Sequence, residues 1–190
     1  MKLDLNKKQT IGTKRTLLQL RNTLRSLLCE KSFENIQVTE ICERSMIPKS
    51  TFYNYFDDKY DLLQYVLKTY ETEINPETDS TENSAMDATE ALNNLLDTVD
   101  KNWIYLEKIF RYNPPTGFFY QEYHRFFIES CYRIMLKSFE SYAHDDLPFE
   151  LIAKMKAYAV LTVLEWVYFK GHPLSRKEIT EYINKLSSTV

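Results

Sequence analysis

The sequence predicts an all-α protein of about nine helices, and three observations support this prediction. Apolar residues recur at spacings of three and four along most of the chain, which is the period of an amphipathic helix. The 190 residues include only 3 Gly and 6 Pro, which leaves little turn-forming material for a many-stranded sheet. A hydrophobic content of 44% and an aromatic content of 14% are sufficient for packed cores and exclude a disordered chain.

The first predicted helix runs from Lys14 to about Lys31, with Thr13 as its N-cap. Residues 1–12 precede it without helical periodicity and are expected to form a mobile basic arm. After the helix, Phe33 and Ile36 are expected to be apolar plugs in a short connection to the next helix. The helix has one apolar stripe, which comprises Leu17, Leu20, Leu24, Leu27 and Leu28.

The stretch from Val38 to Leu63 predicts two short helices joined by a tight turn, followed by the start of a longer helix. Val38, Ile41 and Cys42 form one helical face, SMIP interrupts the pattern, and Phe52 and Phe56 resume it at a spacing of four. This pattern indicates a helix-turn-helix. The outward groups of its second helix are cationic, hydroxyl, amide and phenolic, the types that bond phosphates and base edges of DNA: Lys49, Ser50, Thr51, Tyr53, Asn54 and Tyr55.

A longer helix is predicted from Lys59 to about Ile74, with Asp58 as its N-cap. A lysine at such a helix start can reach a phosphate, and the helix N-terminus itself favours anions. The polar segment 75–84, NPETDSTENS, follows and is the predicted domain boundary.

The formal net charge of the chain is -3, but the charge is unevenly distributed. Residues 1–56 contain ten Lys and Arg against five Asp and Glu, a net charge of +5. The remaining 14 basic and 22 acidic residues give -8. The basic excess therefore coincides with the helix-turn-helix, as expected for a DNA-binding surface, and the acidic remainder is expected to be a solvated surface.

These motifs together resemble the N-terminal DNA-binding domain of the TetR family of bacterial transcription regulators. The resemblance covers roughly Thr13 to Val66 and rests on LLCEKSFENIQV, ICERSMIPKS and TFYNYFDDKYDLL in that order. The later WVYFKGHPLSRKEITEYI is similar to the ending of many such regulators from low-GC Gram-positive bacteria. The resemblance implies a cytoplasmic homodimer, most often a repressor, on a palindromic double-stranded DNA operator. It further implies a C-terminal domain that binds a small effector.

The resemblance and the residue types together define the candidate DNA contacts. Thr39 is included because it lies in the first turn of the helix that crosses the DNA backbone in this kind of docking. For Lys14 and Arg15 a phosphate contact and a simple solvated face remain equally open. The expected DNA-binding residues are Lys14, Arg15, Thr39, Pro48, Lys49, Ser50, Thr51, Tyr53, Asn54, Tyr55 and Lys59.

Two positions depart from the family pattern. Met46 stands where the family usually has Gly, and a left-handed backbone there costs a non-glycine residue about 1 to 2 kcal/mol. Either the turn is shaped differently or it carries this strain. Pro48 stands where the family often has Ser or Thr, so a side-chain cap is lost although proline suits the first helical position.

Five further helices are predicted in the C-terminal part. They cover Ala85–Asp100, about Asn102 to Arg111, Phe118 to Tyr142, Phe149–Lys170 and a last one capped by a Ser175–Glu178 capping box. Two prolines break the chain at 111–117, and Gly171 ends the fourth of these helices. The expected domains are a DNA-binding domain over 1–58, a connecting helix over 59–74, and an effector-binding and dimerisation domain over 75–190.

The last two helices are the predicted dimer interface, because the first of them is apolar nearly all round. Eighteen of the 27 aromatic residues lie between Trp103 and Phe169, and they either line an effector cavity or fill the core. The candidate cavity residues are Trp103, Phe110, Phe119, Tyr123, Phe127 and Trp166. The candidate interface residues are Tyr158, Ala159, Thr162, Val163, Trp166, Ile179 and Ile183.

Other function classes find little support in the sequence. Cys29, Cys42 and Cys131 fit buried thiols in a reducing cytoplasm, and the three histidines share no ligand spacing, so no metal, cofactor or catalytic residue is predicted. A segment of 18 apolar residues and a signal sequence are both missing, so no membrane role is expected. The alternative that stays open is a TetR-like interaction protein or coactivator that acts through a protein partner with weak or no DNA binding.

Overall fold

The computed structural model describes residues 9–74, 88–139 and 148–188. These residues form eight α-helices and no strand, which confirms the all-α prediction. The helices are α1 Ile11–Leu28, α2 Val38–Ser45, α3 Lys49–Tyr55, α4 Lys59–Ile74, α5 Ala88–Tyr112, α6 Phe118–Phe139, α7 Phe149–Leu164 and α8 Arg176–Ser188. A 3-10 turn lies at Phe33–Asn35, and a π-helical turn at Glu165–Phe169 follows α7.

Several helix boundaries differ from the sequence prediction, and two of the differences have a clear local cause. α1 begins at Ile11 rather than Lys14, because Thr10 is the N-cap and its Oγ1 accepts from the Thr13 amide at 3.1 Å. α5 is one helix where two were expected, because its apolar spacing of three and four continues without Gly or Pro through residues 99–106. The arm residues 1–8 and the predicted end of α6 at Tyr142 lie outside the described residues.

The chain forms two compact units whose boundaries differ from the expected domains. The first unit comprises residues 1–76 and 100–122, and the second comprises 77–99 and 123–190. The expected division at residue 75 therefore misses a segment, since the last part of α5 and the start of α6 pack with the helix-turn-helix. Arg25 of α1 illustrates this packing: its guanidinium donates to Asn102 Oδ1 at 3.0 Å and lies over the Tyr105 ring.

The core of the first unit is built on the predicted leucine stripe of α1, all five members of which are buried. Phe33 and Ile36, the expected plugs, are also fully buried, as are Phe52 and Phe56. A buried phenylalanine side chain contributes roughly 1.5 to 3 kcal/mol to folding. These contacts fix α2 and α3 on the rest of the unit.

The second unit is built on α7 and α8. Ala153, Ala157 and Val160 of α7 are buried together with Ile179 and Ile183 of α8. The predicted capping box opens α8: Ser175 Oγ accepts from the Glu178 amide at 3.3 Å, and Glu178 Oε2 accepts from the Ser175 amide at 2.7 Å. Gly171, with a φ of 69°, closes the preceding helical segment. None of the described helices is long and apolar enough to span a bilayer.

Candidate DNA-binding surface

The turn between α2 and α3 carries the strain that one sequence alternative predicted. Met46 has φ 55° and ψ 31°, and it is the only non-glycine residue with positive φ among the described residues. The Ile47 amide donates to Cys42 O at 3.0 Å and the Met46 amide to Glu43 O at 3.2 Å, which is the Schellman pattern that ends a helix. The backbone therefore adopts the glycine conformation although the residue is Met, and its side chain is 89% exposed.

Pro48 lies immediately before α3 rather than at its first helical position. Its φ of -58° is the value that the proline ring imposes, and its carbonyl accepts the first helical bond from the Phe52 amide at 3.0 Å. No side chain caps this helix start. α3 is thus started by backbone geometry alone and is held in place by the burial of Phe52.

The outward face of α3 is a compact polar surface. Tyr53 is 45% exposed, and Lys49, Ser50 and Asn54 are exposed as well. Two predicted contacts are less accessible: Thr51 is half-buried, and Tyr55 is half-buried with its hydroxyl donating to Thr13 Oγ1 at 3.5 Å. The four exposed side chains offer a cation, a hydroxyl, a phenol and an amide within two helical turns, which suits phosphate and base contacts.

Ion pairs hold α2 beside the end of α1. Arg44 Nη1 lies 2.7 Å from Glu30 Oε1, and Lys31 Nζ lies 2.8 Å from Glu40 Oε1. The hydrogen bond from Arg44 lowers the pKa of the Glu30 carboxyl below its ordinary value. Because these two cations have acidic partners, they add little to the basic potential that the sequence count suggested.

The remaining cations of this region are more available. Lys14, Arg15 and Lys49 are exposed, and none of them makes an ion pair within the described residues. Thr39, in the first turn of α2, is half-buried. These four residues keep their predicted role as candidate phosphate contacts.

Lys59 has a different environment from the one the sequence suggested. Its Nζ donates to three backbone carbonyls in the connection between α1 and α2: Phe33 O at 2.9 Å, Glu34 O at 2.9 Å and Ile36 O at 2.8 Å. The ammonium also lies 4.8 Å from the centroid of the Phe33 ring, and burial lowers its pKa. Since an ammonium has three hydrogens, a phosphate contact would have to displace one of these bonds.

Asp58 is the N-cap of α4, as predicted. Its Oδ1 accepts from the amides of Tyr60 at 2.8 Å and Asp61 at 3.0 Å. Asp61 in turn accepts from the Asp57 amide at 3.0 Å. Hydrogen bonds therefore fix the start of α4: the carboxylates of Asp58 and Asp61 accept from backbone amides, and Lys59 donates to backbone carbonyl groups.

Two residues that fix the connection between α1 and α2 were not predicted from the sequence. Asn113, treated only as part of the proline break, is 1% exposed and bonds the Phe33 amide. Glu34 accepts from the amide of Phe118 at the start of α6. Asn113 could have been noticed in the sequence as a polar amide directly before two prolines. Nothing in the sequence marked Glu34.

The predicted effector-pocket residues divide between the two units. Trp103, Phe110 and Phe119 belong to the first unit, and Tyr123, Phe127 and Trp166 belong to the second. Phe119 and Phe127 are buried, whereas Trp166 is 46% exposed and stacks on the His172 ring with centroids 3.9 Å apart. The core interpretation fits the buried pair, and the pocket stays a prediction.

The predicted dimer residues also divide into two groups. Val163, Ile179 and Ile183 are only 3–4% exposed in a single chain, so they belong to the core of the second unit. A side chain that is already buried has little area left to bury against a partner, and this part of the prediction is corrected. Tyr158 and Trp166 are each 46% exposed, Thr162 is exposed, and Ala159 is half-buried.

Comparisons with known proteins agree with this arrangement. The sequence profile described as "Bacterial regulatory proteins, tetR family" matches residues 21–66, which run from α1 into α4. The chain matches no curated protein sequence.

Two solved structures share the fold. "Dihydroxyacetone kinase operon activator DhaS" has a TM-score of 0.65 and 21% identity over 92% of this chain and 96% of that one. A TetR-family transcriptional regulator from Syntrophomonas wolfei has a TM-score of 0.61 and 20% identity over 93% of each chain. At this identity the likeness establishes the fold alone.

The matched segment contains the elements that form the candidate surface: α2, the Met46 turn, α3 and the start of α4. The family description names regulatory proteins rather than enzymes. The motif order and the profile match agree: residues 21–66 are similar to the segment that bacterial regulatory proteins of the tetR family share.

Proposed function

We propose that this protein is a homodimeric repressor that binds a palindromic DNA operator through α3 and is modulated by a small effector bound in the second unit. The exposed face of α3 carries the proposal, since Lys49, Ser50, Tyr53 and Asn54 are accessible while Phe52 anchors the helix from behind. Tyr53 and Asn54 read base edges in the major groove, and Lys49 contacts phosphate. Lys14, Arg15 and Thr39 supply further backbone contacts.

The outer surface of α7 supports a dimer with a second copy of this chain. Leu151, Met155 and Tyr158 are each 39–47% exposed and lie along one side of α7, and Trp166, in the π-helical turn that follows, is 46% exposed. Next to them is a groove of about 230 Å³ lined in part by Ile152, Ala159 and Leu186. Exposed apolar area of this kind on a single chain is typical of a surface that a partner covers. Two-fold symmetry then places one α3 on each half-site, one DNA turn or a multiple apart.

Selection of bound duplexes from a random pool tests DNA recognition directly. The expected result is enrichment of an inverted repeat whose halves are one helical turn, or a multiple of it, apart. Retention of DNA without enrichment, or no retention at all, would favour the alternative in which the fold acts through a protein partner.

Analytical ultracentrifugation tests the dimer. Tyr158→Glu is expected to give monomers, because it places a charge in the centre of the apolar surface. Asn184→Glu, at an exposed polar position of α8 in the same unit, is the matched control and should remain dimeric. A wild-type protein that sediments as a monomer would overturn this part of the proposal.

The sign of regulation is tested with a reporter gene placed behind the selected operator. Repression predicts a higher signal when the gene for this protein is deleted. One structural relative carries the name of an operon activator, and a lower signal after deletion would assign that sign to this chain as well.

A further inference from the structure

Three residues from other elements form hydrogen bonds with the connection between α1 and α2. It consists of residues 29–37 and contains the 3-10 turn Phe33–Asn35. Lys59 at the start of α4 binds three of its carbonyl groups. The other attachments come from Asn113, in the turn between α5 and α6, and from Phe118 at the start of α6, and both residues belong to the same compact unit.

Asn113 is the central attachment. Its Oδ1 accepts from the Phe33 amide at 2.8 Å, and its Nδ2 donates to Leu28 O at 3.2 Å and to Ile109 O at 2.8 Å. The side chain is 1% exposed, and both hydrogens of its amide nitrogen are used. One buried amide thus joins the end of α1, the connection and the end of α5.

Glu34 makes the second attachment. Its Oε1 accepts from the Phe118 amide at 2.8 Å, at the first residue of α6, and this bond lowers the pKa of the carboxyl. Ring contacts surround the bond: Phe33 stacks on Phe118 with centroids 5.6 Å apart. A Cβ at Gly117 would lie 3.4 Å from Glu34 Oε1 and 3.2 Å from Pro114 O, so the absence of a side chain there permits the close approach.

We infer that Asn113 and Glu34 are positioning residues that attach the α5–α6 turn to the connection before α2 and thereby set the orientation of α2 and α3 on DNA. The inference rests on the proposed DNA binding. α2 begins at Val38, two residues after Ile36, and the two-bond Met46 turn joins it to α3. A displacement of the connection therefore moves α2 and α3 together with it.

The direction of control follows from the chain path. α5 and α6 both continue along the chain from this turn into residues of the second unit. An axial shift or rotation of either helix moves Asn113 or Phe118, and the two hydrogen bonds transmit that movement to the connection. Packed elements of this kind occupy discrete arrangements rather than deforming continuously.

The test measures affinity for a duplex that the wild-type protein selects and for a scrambled duplex of equal length. Asn113→Asp keeps the acceptor for the Phe33 amide but places a carboxylate against two carbonyl oxygens. Glu34→Ala removes the acceptor for Phe118, and Glu34→Gln retains a carbonyl acceptor. Matched controls are Gln121→Glu and Glu107→Ala, which make similar changes at exposed positions of the same unit.

Asn113→Asp and Glu34→Ala are expected to weaken binding to the selected duplex about threefold to thirtyfold, with a smaller change on the scrambled duplex. Glu34→Gln should bind within about twofold of wild type, because it keeps an acceptor for the Phe118 amide. Both controls should also bind within about twofold, because they change exposed positions that take no part in the attachment. The recovery by Glu34→Gln separates positioning from a general loss of structure. Urea unfolding of each variant verifies that the measured species is folded.

Every outcome decides the inference. If Asn113→Asp does not fold, Glu34→Ala decides, because it changes an exposed carboxylate. Folded Glu34→Ala that binds the selected duplex like wild type overturns the positioning role while DNA binding stands. A wild-type protein that enriches no duplex overturns the proposed function and this inference with it.

Discussion

The start of α3 and the start of α4 contain two lysines ten residues apart, and the structure gives them opposite environments. Lys49 is exposed and makes no ion pair within the described residues. Lys59 is half-buried, donates to three carbonyls and lies over the Phe33 ring. In the sequence both are lysines at helix starts beside a DNA-binding motif, and both were predicted to bind phosphate.

The difference teaches that burial, rather than residue type or motif position, separates a ligand contact from a structural one. The Lys59 ammonium replaces missing backbone donors, because the chain around the 3-10 turn directs three carbonyl groups toward the same atom, Lys59 Nζ. A cation left in water keeps its hydrogen bonds for a phosphate. The two lysines therefore predict effects on different measurements.

Lys59→Met should have the largest effect on stability. Met retains the length of the side chain but leaves three carbonyls without their charged donor, which we expect to lower the free energy of unfolding by about 3 kcal/mol. Urea unfolding measures this change. Lys49→Met is the matched control and should change stability by less than about 0.5 kcal/mol. Equal stability of the two variants would mean that Lys59 is not a structural residue, and it would again be a candidate phosphate contact.

DNA binding should show the reverse order: substitutions on the exposed face of α3 should have larger effects than substitution of Lys59. Asn54→Ala is expected to cost about 2 kcal/mol on the selected duplex and much less on a scrambled one, because an amide reads base edges. Lys49→Met should weaken both duplexes alike and reduce the slope of log affinity against log salt by about 1. Equal losses on both duplexes for Asn54→Ala would show that this side chain does not read sequence.

Met46→Gly tests the strain at the turn between these regions. Glycine adopts the observed φ of 55° without a Cβ penalty, so we expect stability to rise by about 1 kcal/mol. Met46→Ala keeps the strained conformation and should remain close to wild type, since the Met side chain is 89% exposed. A stability unchanged by glycine would mean that the Met side chain contributes to the fold.

Sequence reasoning predicted well wherever a periodic local pattern decides the structure. The α1 leucine stripe, the Phe52 anchor, the Asp58 cap and the Ser175–Glu178 box all follow from neighbours within a few residues. It failed where residues distant in the chain meet. Asn113 lies 80 positions from Phe33, and the three carbonyls bound by Lys59 lie 23 to 26 positions away, so no local pattern marks them.

The same limit explains the errors in the C-terminal part. The apolar sequence of α7 predicted a buried helix but could not tell which side faces the core, so Val163 and Tyr158 received the same role. In the structure Val163 is 4% exposed and Tyr158 is 46% exposed. Periodicity identifies a stripe, whereas the partner of each stripe is a property of the folded chain.

The smallest predicted effect concerns the acid stability of the α5–α6 attachment. The Phe118 amide holds the pKa of Glu34 below its ordinary value of 4.5. The carboxylate therefore stabilises the fold above pH 4.5, and this contribution is lost as the pH falls through the folded-state pKa. Because the side chain is exposed, screening keeps the contribution below about 1 kcal/mol.

Glu34→Gln isolates this contribution, because an amide keeps a hydrogen-bond acceptor but does not titrate. Wild type should lose slightly more stability than Glu34→Gln when urea unfolding is compared at pH 7 and at a pH below 4.5. Other carboxylates titrate in the same range, and the difference between the two proteins removes their effect. Identical losses would mean that the bond to Phe118 is equally strong with a protonated acid, and the charge of Glu34 would then contribute nothing to the attachment.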